Sequence, residues 1–117
     1  MQLVKSACEV IAVTVDGSLY IDFRKGAVTI RLSLKQWTVL ERKHSIVETN
    51  YYFGEPNASY KLDLTNGVFL CVWWKRTLCL CKYDKCIFLD SDIFDYVFFK
   101  RVNMELENLD TDRYFHS

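Results

Sequence analysis

The chain has 117 residues, 50% of them apolar, and its 15 basic and 15 acidic side chains balance to zero. That length suits one compact domain, or two very small units that must share a core. Overall neutrality argues against a uniformly basic, unspecific nucleic-acid binder, so any such function requires charge segregated on the surface.

The opening stretch, MQLVKSACEVIAVTV, has an apolar run broken by Glu9. It is too short and too interrupted for a membrane span or a secretory signal. Five cysteines is an odd number, and four of them sit in strand-like segments of the second half. They read as reduced thiols of an intracellular protein, nuclear or cytoplasmic and not secreted.

Residues 8–15 are β-branched and predict a strand, closed by the hairpin turn Asp16-Gly17. Apolar residues then alternate at Leu19, Ile21 and Phe23, and again at Val28, Ile30 and Leu32, which predicts two strands with Lys25-Gly26 turning between them. Ser33 is placed to accept from the free N–H groups of a helix start, and Gln36 to reach back as a capping box. Trp37, Leu40, His44 and Val47 recur at helical spacing to about Glu48, with Glu41, Arg42 and Lys43 behind them. Residues 50–58 carry the only proline and read as a linker.

The pattern restarts after the linker. Strands are expected at residues 59–65, 68–74, 77–82 and 85–89, with turns at Asn66-Gly67, Lys75-Arg76 and Tyr83-Asp84. Asp90 is expected to cap a helix reaching about Leu106, and residues 107–117 form an acidic polar tail. Gly17 then matches Gly67, Ser33 matches Asp90, Trp37 matches Phe94, Leu40 matches Val97 and Val47 matches Met104. This predicts an α+β protein of two tandem units, residues 1–49 and 59–106, each a curved antiparallel sheet followed by one helix. The alternative is one α+β domain whose hairpins merely look alike. The second helix is apolar nearly all round its middle, so it must be covered on more than one side, by a sheet and by the first helix or another chain.

The segment from Gly17 to Arg24, GSLYIDFR, resembles the glycine-led second strand of the positive cofactor 4 family of transcriptional coactivators. Residues 30–40, IRLSLKQWTVL, resemble that family's entry into its helix, with glutamine-tryptophan after a short strand and a cap. Residues 85–90, KCIFLD, resemble the same entry, with Phe94 in place of the tryptophan. The resemblance covers residues 8–48 clearly and 59–106 weakly. It implies a four-stranded curved sheet and a helix per unit, paired through the helices, with strands that grip single-stranded or melted DNA. Two units in one chain imply a fused, intramolecular pseudo-dimer with Trp37, Leu40, His44, Phe94, Val97, Phe98 and Met104 at its interface.

Alternation places Tyr20, Asp22, Arg24, Thr29 and Arg31 on the open face of the first sheet. Rings interleaved with cations suit single strands, because bases stack on rings while cations meet phosphates; an ordinary solvated sheet face is the plain alternative. In the second half, Trp73 and Trp74 point to opposite faces. If Phe69, Cys71 and Trp73 face the helix, then Leu70, Val72, Trp74 and Phe88 form an apolar outer face rimmed by Lys75, Arg76, Lys82 and Lys85. Such a face is a stacking platform or a protein interface. The expected nucleic-acid contacts are Tyr20, Arg24, Lys25, Arg31, Trp74, Lys75, Arg76, Lys82 and Lys85. The expected partner is single-stranded DNA, or RNA, alongside transcription or replication proteins and no membrane. The other reading is a protein-interaction or scaffold module, including a homo-oligomer formed through the second sheet.

Cys71, Cys79, Cys81 and Cys86 raise a zinc hypothesis, but Cys79-Leu80-Cys81 lies within a strand and no Cys-x-x-Cys pair exists. Small apolar filling is the favoured reading, with no metal and no cofactor expected. His44 and His116 have no evident catalytic companions, and no phosphate loop, nucleophile elbow or paired-carboxylate motif is present. An enzyme is not expected.

Overall fold

Asp16-Gly17 and Asn66-Gly67 turn the chain with φ of 51° and 80°, and of 53° and 78°. Two successive positive φ values match the right-handed twist of antiparallel strands, which is why both pairs make hairpins. The structure, a computed structural model, describes residues 8–55, 57–73, 77–89 and 94–115, with side chains described as far as residue 110. The fold is α+β. A three-stranded antiparallel sheet in the order β1-β2-β3 uses β1 (Glu9–Val15), β2 (Ser18–Lys25) and β3 (Val28–Ser33). Helix α1 (Leu34–Phe53) follows. A four-stranded antiparallel sheet, β4-β5-β6-β7, uses β4 (Tyr60–Thr65), β5 (Val68–Trp73), β6 (Thr77–Lys82) and β7 (Lys85–Leu89), and α2 (Tyr96–Phe115) closes the chain.

The α1 start follows its sequence. The Ser33 hydroxyl accepts from the Gln36 N–H at 3.2 Å, and the Gln36 side chain accepts from the Ser33 N–H at 2.9 Å. Leu19, Ile21, Phe23, Ile30 and Leu32 from the first sheet meet Leu64, Val68, Leu70, Leu80 and Ile87 from the second, with Trp37, Leu40 and Val47 of α1, in one continuous core. Each such side chain contributes about 1.5–3 kcal/mol by leaving water.

The helices do not simply cover the sheets that precede them. Helix α1 packs on β2 and β3 but equally on β4 and β5, whereas α2 lies along β1 and touches β2. Exposed strand edges invite unwanted pairing, and here the edges are occupied. Arg101 and Glu105 of α2 reach the Val10 carbonyl and the Ala12 N–H of β1, each at 3.5 Å. Lys43 of α1 donates to the Asp63 carbonyl of β4 at 2.9 Å. The remaining edge of the first sheet, β3, lies against β7.

Several boundaries differ from expectation. Helix α1 continues through Phe53 into the segment expected to be a linker, and ends where the Gly54 N–H donates to the Asn50 carbonyl at 3.2 Å. Asp90 lies outside the described residues. Helix α2 begins at Tyr96, where the Asp95 carboxylate accepts from the Phe98 N–H at 3.0 Å, and it runs on through residues expected to form a polar tail. The buried stripe of α2 is therefore Phe98, Phe99, Val102 and Leu106, while Val97 is 70% exposed and Met104 is also exposed. The faces of β5 are the reverse of the conditional assignment. Val68, Leu70 and Val72 point inward, and Phe69 and Trp73 point outward with Phe88. Among the described residues, no helix is long and apolar enough to cross a membrane.

Candidate nucleic-acid interface

Asp22 and Arg31 face each other across β2 and β3. The Arg31 guanidinium donates from Nε to Oδ1 at 2.7 Å and from Nη2 to Oδ2 at 2.9 Å, and Arg24 donates to the same Oδ2 at 3.1 Å. The Asp22 side chain has no exposed surface, although alternation puts it on the outer face of the sheet. It is covered by its own partners, so the expected open position is a buried anchor instead. The Arg31 hydrogen bonds hold its carboxyl below the usual carboxylate range, against the opposing effect of burial. Both arginine side chains keep roughly two-fifths of their surface in solvent. One carboxylate between two cations leaves a net positive charge facing outward. The Arg31 guanidinium also lies 5.4 Å from the centre of the Tyr20 ring, which orders the ring beside it.

Where β3 meets the β6–β7 hairpin, Thr29, Arg31, Lys82, Tyr83, Asp84 and Lys85 line a cleft of about 340 Å³. Cations from both sheets thus share one opening. Lys25, at the end of β2, reaches across to the Phe88 carbonyl of β7 at 3.5 Å. Arg24, opposite Thr29 in register, borders the same region. Trp74, Lys75 and Arg76 lie outside the described residues.

Tyr83, which the sequence marks only as a turn residue, sits between the paired Lys82 and Lys85 with φ of 55° and is 81% exposed. An aromatic residue in the left-handed region is strained. Its ring passes over Gly67, where a Cβ would lie 3.1 Å from Tyr83 Cε1, so a larger residue at 67 would have to displace the ring. The signal in the sequence is the lysine-tyrosine-aspartate-lysine order, which presents a ring at a hairpin tip between two cations.

The expected interhelix residues divide. The Trp37 ring lies 5.9 Å from Phe98 and 5.1 Å from Phe99, and its Nε1 donates to Asn103 Oδ1 at 2.8 Å. His44 sits edge-on to Phe94 at 5.1 Å and 3.4 Å from the Glu48 carboxylate. Leu40 is in the core. Val97 takes no part in this packing, because the later helix start turns it to solvent. Met104 borders a larger groove between the helices, about 1030 Å³, whose walls include Glu41, Glu48, Asp95 and Glu107. Four carboxylates give that groove the wrong sign for phosphate.

The outer face of the second sheet carries the stacked pair Trp73 and Phe88, 5.7 Å apart, and the thiols of Cys71, Cys79, Cys81 and Cys86. All five cysteines are free. Comparison of the chain with protein-family models, with curated proteins and with solved structures found no match.

Proposed function

We propose that this protein binds single-stranded or locally melted nucleic acid, DNA in the first instance, across the junction of its two sheets. The observation that carries the reading is the convergence of Arg31 with Lys82, Lys85 and the exposed Tyr83 in one cleft, with Arg24 and Lys25 beside it. Cations that follow a backbone next to a ring that can stack a base are what sequence-tolerant single-strand binding requires. The segregated charge answers the objection from overall neutrality. The resemblance to the positive cofactor 4 family points the same way.

In this reading the chain is a fused pseudo-dimer, and the helix caps supply a better match between halves than the sequence did. Aligning Ser33 with Asp95 brings Trp37 onto Phe99 and Leu40 onto Val102, and all four of these apolar side chains are buried. The Gln36-Trp37 pair also reaches into both elements of the second half, Gln36 to the Thr65 carbonyl and Trp37 to Asn103.

The test is fluorescence anisotropy with a labelled oligonucleotide of about twenty nucleotides, titrated over a range of salt. Binding should weaken with salt, and Lys82→Ala with Lys85→Ala should reduce the slope of log K against log salt by about 0.7 for each phosphate that is no longer neutralised. An absence of binding at low salt rejects the proposal. The exposed Phe69, Trp73 and Phe88 favour a second reading, a protein-interaction module using the outer face of the second sheet. Mass that rises with concentration in light scattering, and falls for Trp73→Ser, would support it.

A further inference from the structure

Four of the five cysteines fall on one face of the second sheet because strand register puts them there. Cys71 lies directly opposite Cys79, and Cys81 directly opposite Cys86. Cys79 and Cys81 are alternate residues of β6 and so share a face. The sulfurs converge: Cys81 to Cys86 is 2.8 Å, Cys79 to Cys81 is 3.5 Å and Cys71 to Cys81 is 3.7 Å. The thiols of Cys79, Cys81 and Cys86 all lie within 4.8 Å of one another.

We propose that Cys79, Cys81 and Cys86 form a binding site for one soft d10 metal cation of the copper(I) or zinc(II) class. The donor set is the first argument. Three sulfurs with no oxygen donor among them disfavour magnesium and calcium and select thiophilic ions. Distances are the second. Metal–sulfur bonds of about 2.3 Å place two sulfurs of one tetrahedral ion roughly 3.8 Å apart. The Cys79–Cys81 and Cys71–Cys81 separations are already close to that, and the nearer Cys86 is exposed on an outer strand, where its side chain can swing away. Access is the third: Cys79 is buried, Cys81 half-buried and Cys86 exposed, which gives an ion a path inward. Phe88, opposite Cys79, and Trp73 beside it shield one flank from water.

The chemistry balances simply. Burial pushes Cys79 and Cys81 towards the protonated form, and at Cys81 the hydrogen bonds from the neighbouring thiols add to it. Each thiol that coordinates therefore gives its proton to solvent as the metal–sulfur bond forms. Sequence motifs miss the site because the ligands come from two strands in cross-strand register, rather than from a knuckle with Cys-x-x-Cys spacing. A Cys81–Cys86 disulfide is the competing use. It would employ two of the four thiols and leave Cys79 and Cys71 idle.

The test uses the reduced full chain under anaerobic conditions, titrated with copper(I) and separately with zinc(II), each against a chromophoric competitor, with native mass spectrometry for stoichiometry. One ion per chain is expected, with affinity at least tenfold lower in Cys86→Ser and unchanged in Cys8→Ser. Circular dichroism confirms that Cys86→Ser is folded, and Cys86→Ala serves as a second variant at this exposed position. Loss of affinity in Cys71→Ala would identify a four-sulfur site of the zinc type, and no loss a three-sulfur site of the copper(I) type. Wild-type affinity in both Cys86 variants overturns the proposal. So does retention of no ion, or a mass lower by two hydrogens in protein prepared without oxidant.

Discussion

Gln36, in the first turn of α1, donates from Nε2 to the carbonyl oxygen of Thr65 at 2.9 Å, and its Oε1 accepts from the Ser33 N–H. One buried amide thus closes a helix cap in the first half of the chain and holds the bulged end of β4 in the second. Thr65 needs that support, because its φ of 84° interrupts the β4–β5 register. Gln36→Ala is expected to cost about 1–3 kcal/mol, since it leaves a cap donor and a carbonyl without partners. Gln36→Glu keeps the cap acceptor but turns an oxygen towards the Thr65 oxygen, so it should cost at least as much. Urea unfolding of both variants checks this, and a near-wild-type Gln36→Glu would show that the link across the halves carries no stability.

Asp22 gives stability a defined pH dependence. Its folded-state pKa is lowered by the Arg31 hydrogen bonds, so the unfolded chain takes up the proton first as pH falls. The contribution is present in full above the unfolded carboxylate value, about pH 4, and is lost as pH drops through it towards the depressed folded value. Asp22→Asn cannot titrate. The stability gap between wild type and Asp22→Asn should therefore be widest near neutrality and shrink below about pH 4 in urea midpoints measured across pH.

What was legible in the sequence was local. Alternation, β-branched runs and turn pairs located the strands, and Ser33 with Gln36 fixed the start of α1 to the residue, because those signals lie within a few positions of each other. The start of α2 was not legible: the sequence offers an aspartate at 90 and another at 95, both of a type that caps helices, and only packing against β1 and α1 selects between helix registers. Asp22 looked like a solvated outer residue because burial by two arginines depends on cross-strand register. The cysteine cluster and the cleft shared by Arg31 and Lys85 depend on strand pairing and on β3 meeting β7, which no local pattern encodes.

The register of α2 is directly testable. Val97 would be an interhelix residue had the helix begun after Asp90, yet it is exposed, while Phe99 packs against Trp37 at 5.1 Å. Val97→Ala should change stability by no more than about 0.5 kcal/mol. Phe99→Ala should cost about 3–5 kcal/mol. Thermal or urea unfolding separates the two, and comparable losses would return the helix to the earlier register.

Tyr83 offers the sharpest separation of binding from stability. Its positive φ is a conformation that costs a non-glycine residue about 1–3 kcal/mol, and its exposed ring recovers little of that beyond its packing on Gly67. Strain retained at a hairpin tip between Lys82 and Lys85 is consistent with a ring kept for a ligand. Tyr83→Gly accepts the same φ without strain and removes the ring. Its unfolding midpoint should equal or exceed that of wild type, while its affinity for a single strand should fall about tenfold, the equivalent of one base stack of ~1.4 kcal/mol. Tyr83→Phe keeps the ring and the strain, and should bind as wild type. If Tyr83→Gly binds as tightly as wild type in the anisotropy titration, the hairpin tip is not a stacking position and the strand must run elsewhere on the sheets.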